Sequence, residues 1–255
     1  MKKTEFSPEK ILQYARKNSE WAGLRSYCEE STTRIVRNEK PEKNESSIDE
    51  GVMVELMVDG HIGYSATANL SEEGLKDAVD RALASTKTSS KRKLYSFSPE
   101  QRPKASGEFR SARRKNLDTL SLAEITDCLM YGSQAMAISD KIVNRLASAN
   151  LIQTEITLFS SSGSNSFQNF HIVNVHCAAT ASDGPETQTR SWGRGPSGQW
   201  GAEVFDKNTF ASECKKSAEE ALELLRAENC PNGARSEEHT SELQSHLNLV
   251  CRLLL

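Results

Sequence analysis

No run in this chain of 255 residues comes near the roughly 20 consecutive apolar residues that a bilayer-crossing helix needs. A membrane partner is therefore not expected. Behind Met1-Lys2-Lys3 there is no apolar core of a secretory leader either. Cysteine occurs six times, but Cys28, Cys128, Cys177, Cys214, Cys230 and Cys251 never form a C-x-x-C pair. That spacing lacks the close ligand pairs of a structural zinc site, and the density is too low for a disulfide scaffold. The thiols read as small core residues. Charge of one sign is missing as well. Lys and Arg number 32 against 35 Asp and Glu, for a net charge of −3, so a nucleic-acid partner is not expected. Aromatics are only 6% of the chain. The one basic run, Arg110-Ser111-Ala112-Arg113-Arg114-Lys115, has none interleaved and reads as a solvated loop. G-x-S-x-G and phosphate-loop patterns are absent too. These absences leave a cytoplasmic chain.

What is present is a series of helices set between runs of strands. Ser7-Pro8-Glu9 has the form of an N-cap, an N1 proline and an acidic first turn, with Ile11, Leu12 and Ala15 behind it. Leu24 to Asn38 reads as a strand. Gly51 to Val58 and His61 to Ala68 are apolar runs joined by Asp59-Gly60, the strongest short-range sign of a hairpin. Ser71 then caps a helix with Glu72 and Glu73 in its first turn and a stripe of Leu75, Ala78, Val79, Ala82 and Leu83. Residues 86–116, rich in Ser, Lys and Arg, read as a loop excursion. A helix over 121–139 carries the stripe Leu122, Ile125, Leu129, Gly132 and Met136. Strands over 141–149 and 153–160 flank a break, and after the Ser161-Ser162-Gly163 turn another runs from Phe167 to Ala181. The last helix spans Asn208 to Asn229. Strands arrive in consecutive runs, so the fold class is α+β: an antiparallel sheet with helices packed on it, in two helix-and-strand passes.

Little of this carries chemistry. The segment Trp192 to Gly201 holds Gly193, Arg194, Gly195, Trp200 and Gly201, where glycines admit a close backbone approach and the arginine and tryptophan offer anion contact and stacking. It lacks the strand-to-helix setting of a dinucleotide fingerprint. It reads either as an irregular hairpin end or as a binding loop. His171 and His176, five apart in one strand, point to opposite faces and cannot chelate together. No catalytic residue and no metal ligand is assigned.

Order along the chain is more telling than any single motif. Arg34-Ile35-Val36-Arg37 is followed by Asp49-Glu50-Gly51-Val52-Met53-Val54, then Asp59-Gly60-His61-Ile62-Gly63-Tyr64, Leu70-Ser71 and an alanine-rich helix. Later come Ser161-Ser162-Gly163, Asp183-Gly184, the glycines at 195–201, and Cys230-Pro231-Asn232-Gly233. In this order the chain resembles the TldD/PmbA family over residues 10–233, and the glycine-rich stretch resembles its TldD branch. The resemblance implies a parent protein about twice as long that acts as a zinc metallopeptidase on peptides, beside a TldD/PmbA-type partner subunit. In the family a His-Glu-x-x-x-His helix beyond the segment matching Pro231-Asn232-Gly233 holds the metal. This sequence contains no such motif, so no cofactor is expected in the chain itself, and as written it is expected to be inactive. The alternative is a non-catalytic PmbA-like partner subunit. Gly193, Arg194, Gly195, Trp200 and Gly201 are the expected peptide-cleft or partner loop.

Residues 235–255 belong to none of this. Arg235-Ser236-Glu237-Glu238-His239-Thr240-Ser241-Glu242-Leu243-Gln244-Ser245-His246 resembles the conceptual translation of a common short-read sequencing adapter. The expected organisation is therefore one family-like N-terminal domain over 1–234 and a non-native tail over 235–255. Glu238, His239 and His246 are not read as a metal cluster.

Overall fold

Four strands of 17 to 19 residues dominate the molecule: β1 (Trp21–Arg37), β2 (Lys40–Val58), β5 (Ile142–Ser160) and β6 (Asn165–Ser182). At about 3.3 Å per residue each is roughly 55–65 Å long. The helices are shorter: α1 (Pro8–Arg16), α2 (Glu72–Ser90), α3 (Leu122–Ala135) and α4 (Lys207–Arg226), which at 1.5 Å per residue reach about 30 Å at most. The structure is a computed structural model that describes residues 6–92, 94–192 and 197–228. Residues 1–225 form one compact unit; a second, 226–255, is described only over 226–228.

The sheet order is β3-β2-β1-β5-β6-β4, with β3 (His61–Thr67) and β4 (Ser106–Arg110) as the outer strands. Two short strands, β7 (Thr187–Ser191) and β8 (Ser197–Gly198), also pair with β6. Every pairing is antiparallel except that of β4 with β6, which is parallel. The fold is thus the expected α+β class, and both passes are visible. α1, β1–β3 and α2 make one; α3, β5–β8 and α4 make the other.

Each pass has its own core, and strand periodicity puts both on one face of the sheet. Leu24 of β1 and Val52, Val54 and Leu56 of β2 pack with Ile11 of α1 and with Leu75, Val79 and Leu83 of α2. At the other end, Val36 of β1 joins Ala147, Ala149, Val173, Val175 and Cys177 under Ile125 and Leu129 of α3 and Phe210 and Ala218 of α4. Between the two cores the same face of β1 carries Ser26, Cys28, Glu30 and Thr32. Neither core reaches these positions.

Local signals explain the element ends. Asp59 and Gly60 both have positive φ, 50° and 67°, as a two-residue hairpin turn with the sheet's twist requires. The Ser71 side chain accepts from the Gly74 N–H at 3.1 Å. Ser121 and Glu124 close a reciprocal capping box on α3. Cys128, Cys177 and Cys214 are buried free thiols. Burial pushes Cys128 up to about 11, so it stays a thiol at neutral pH.

The structure corrects the sequence reading in four places. β2 begins at Lys40, not Gly51; residues 40–50 are wholly exposed and carry no apolar alternation to reveal a strand. β5 runs unbroken from Ile142 to Ser160 because its pairing with β1 and β6 continues through Asn150, Leu151 and Ile152. The stretch read as a loop excursion contains the last turn of α2 and all of β4. Leu122 is exposed, so the stripe of α3 starts at Ile125.

Gly132 marks where α3 meets α4. A Cβ there would collide with the Phe210 ring and lie 2.9 Å from Cys214 Sγ, and Phe210 is only 1% exposed. Gly132→Ala gains about 1 kcal/mol of helix propensity but overpacks a closed core at a cost of about 1–3 kcal/mol. The expected outcome is a net loss of about 1 kcal/mol, read as a lower urea midpoint with an unchanged slope.

Candidate functional site

The helix-free middle of the sheet is where polar side chains converge. Register places Cys28 opposite Glu155 and Glu30 opposite Gln153. It places Glu155 opposite Asn169 and Gln153 opposite His171. Opposed residues share a face, so six polar side chains of three strands form one patch between the two cores. Cys28, Glu30, Gln153 and Glu155 line a hollow of about 160 Å³. Asn169 is 2% exposed; its Nδ2 donates to Glu155 Oε1 at 3.2 Å. Its Oδ1 is buried with no hydrogen-bond partner among the described residues, an omission that costs about 1–3 kcal/mol.

The segment after β4 lies against the β6 side of this patch. The Ser111 N–H donates to the Asn169 carbonyl at 2.9 Å, and Ser111 Oγ accepts from the His171 N–H at 3.0 Å. Arg113 Nη1 lies 2.8 Å from Nε2 and 3.1 Å from Nδ1 of His171. Burial, and then the Arg113 guanidinium, push the His171 pKa below the usual imidazole value; Asp118 pulls the other way and Arg110 adds to the depression. A neutral ring suits this neighbour, because it can accept from the guanidinium.

Glu203 anchors the same segment from the other side. Its carboxylate accepts from the backbone N–H groups of Gly201 at 3.0 Å, Arg114 at 3.3 Å and Lys115 at 3.0 Å. Burial raises its pKa, but these donated hydrogen bonds outweigh it and bring the group to about 2. The run 110–115 is therefore tied down at Ser111, Arg113, Arg114 and Lys115 and is not merely the solvated loop its composition suggests.

Of the five residues expected at a cleft or partner loop, Gly193, Arg194 and Gly195 lie outside the described residues. Trp200 is 45% exposed. Gly201 is buried where a Cβ would strike the Lys115 carbonyl, and the adjoining Ala202 N–H donates to that carbonyl at 3.0 Å. The structure brings Gly201 against the segment that carries Arg113. Sequence reasoning set His171 aside as a metal ligand and read Arg113 as part of a solvated loop; it assigned no site role to Glu155, Asn169 or Glu203. For the strand residues a signal existed: period-two alternation puts Asn169 and His171 on the face of Val173 and Val175. For Arg113 and Glu203 none existed, because their partners lie 58 and 88 residues away.

The described residues offer no zinc site. Among those described, no group of three or more His, Cys, Asp or Glu is placed to hold a metal, and both ring nitrogens of His171 face a guanidinium. No described helix is long and apolar enough to cross a membrane.

A long sheet with helices gathered at its two ends is a fold already known in other proteins. The chain is similar to a candidate modulator of DNA gyrase from Thermotoga maritima, with TM-score 0.65 and 16% identity over 88% of this chain and 49% of that one. It is similar to a candidate modulator of DNA gyrase from Bacteroides thetaiotaomicron, with TM-score 0.63 and 17% identity over 84% of this chain and 48% of that one. TldE from Thermococcus kodakarensis matches with TM-score 0.59 and 12% identity over 84% and 47%. The chain spans about half the length of these structures. No curated protein sequence matches it. Residues 22–86 match the family profile described as PmbA/TldA metallopeptidase domain 1. That segment, which holds β1–β3 and most of α2, is where the chain is similar to the TldD/PmbA family.

The His171 environment has a measurable consequence. A histidine with a lower pKa folded than unfolded binds fewer protons in the native state. Its contribution to stability is complete above the unfolded value of about 6.5 and is lost as pH falls. Denaturant midpoints are expected to drop between pH 7.5 and 5.5, with a shallower drop in His171→Gln. An equal drop in both proteins would assign the acid sensitivity to another group.

Proposed function

We propose that this chain is the N-terminal domain of a TldD-like metallopeptidase, supplying a peptide-binding and partner-facing surface to a cytoplasmic enzyme. In this reading the metal-binding His-Glu-x-x-x-His helix belongs to the part of the parent protein that follows, and zinc and a TldD/PmbA-type partner subunit act there. The family segment at 22–86 supports the assignment.

The geometry that carries the peptide reading is an open strand edge. β3 pairs only with Val52–Val58 of β2, so residues 40–51 of β2 have no strand on their outer side among the described residues. An extended peptide can add there through main-chain hydrogen bonds. Pro41, Lys40 and Lys43 stand near its far end, where proline and lysine are the usual guards against indiscriminate strand pairing. The domain then contributes affinity and register, and chemistry comes from elsewhere.

Two measurements test this. The purified chain is expected to hydrolyse no fluorogenic peptide and to bind no zinc tightly; stoichiometric zinc with hydrolysis would overturn the division of labour. An extended peptide is expected to bind about tenfold more tightly than the same peptide N-methylated at alternate residues, since methylation removes the donors that strand addition uses. Equal binding of the two would remove the edge from the proposal. A His-Glu-x-x-x-His in native coding sequence soon after Gly233 supports the enzyme, and its absence supports a PmbA-like partner.

A further inference from the structure

On the opposite face of the sheet, where none of the four α-helices packs among the described residues, lies a built cavity of about 470 Å³. Its floor is two rows of the sheet: Arg25, Leu158 and Ser166 in one, and Ile156 beside Gln168 in the next. Ile156 and Leu158 are half-buried and give it an apolar base. One wall is the Trp21 ring, which lies over Gly23. The Arg102 guanidinium sits 5.5 Å from the Trp21 ring centroid and pairs with Glu55.

The wall is fixed by the Ser160–Ser164 turn. Trp21 Nε1 donates to Ser162 Oγ at 3.3 Å, and Ser162 Oγ donates to the Arg102 carbonyl at 3.3 Å. The Ala105 N–H donates to Ser164 Oγ at 3.1 Å. Residues 102–105 are thereby strapped across the sheet, so the cavity is preformed and of a size usual for small-ligand sites.

Charge selects the ligand. Arg102 is matched by Glu55, while Arg25, on the cavity floor, has no ion-pair or hydrogen-bond partner among the described residues. One unmatched guanidinium over an apolar base is complementary to a carboxylate joined to an apolar group. We propose that this cavity binds an apolar carboxylate, such as the C-terminal residue of a peptide ending in leucine. The site uses neither the β2 edge nor the Asn169 patch, so it stands apart from the peptide reading above.

Isothermal titration of the intact chain with three probes tests it: N-acetyl-leucine, a hexapeptide ending in Leu as the free acid, and the same hexapeptide as the amide. At least one of the two acids is expected to bind. The hexapeptide acid is expected to bind about tenfold more tightly than its amide, and Arg25→Gln to abolish that difference. Arg25 is exposed, so R25Q is expected to fold; Leu158→Gln provides a second variant that weakens the acids through the floor and leaves Arg25 in place. Binding of N-acetyl-leucine alone supports the cavity while removing the peptide as its ligand. Equal binding of acid and amide, unchanged binding in R25Q, or binding of none of the probes overturns the proposal.

Discussion

The ladder between β1 and β5, running from Gly23 opposite Ser160 to Arg37 opposite Leu146, is the constraint on which the rest of the molecule depends. It joins two helix-and-strand passes into one sheet. It also sets the register that decides which residues of each pass share a face. Because side chains alternate strictly along a strand, a slip of one residue would send Leu24 and Val36 to the solvent side together. The two apolar ends of β1 thus hold the polar middle in place.

Length then does what no single residue does. Strands of 17 to 19 residues outrun their helices, and the cores gather at the two ends. The middle is left to side chains that satisfy one another, and they do so incompletely at Asn169 Oδ1. The chain beside this stretch, on its β6 side, is irregular and pinned by Glu203 and by the Arg113–His171 contact. Irregular chain can follow a polar surface because its own N–H groups find side-chain acceptors. The two faces differ in kind: one is capped by helices at both ends, and the other carries a strap and a cavity walled by Trp21 and Arg102.

Much of this fold was legible beforehand. The Asp59-Gly60 hairpin, the Ser71 cap and the stripe from Leu75 to Leu83 are local patterns with local causes, and they stand in the structure as read. Most of the differences share one cause. The first half of β2 is polar and exposed, so nothing in its composition distinguishes a strand from a loop. β4 is a strand only because β6 offers it an edge. Residues 150–152 looked like a break, yet they are held straight by neighbours on both sides. In each case the conformation belongs to the partner as much as to the segment.

The amino-acid sequence by itself determined the α+β class, the two passes and the family resemblance, because helix stripes, hairpin turns and caps act over a few residues and leave short-range patterns. The tertiary structure alone decided where function can sit. Glu155 meets Asn169, Arg113 meets His171, and Trp21 meets Arg102 across separations of 14, 58 and 81 residues. Contacts of that kind are made by strand register and by chain laid across a sheet, and neither leaves a trace in local sequence.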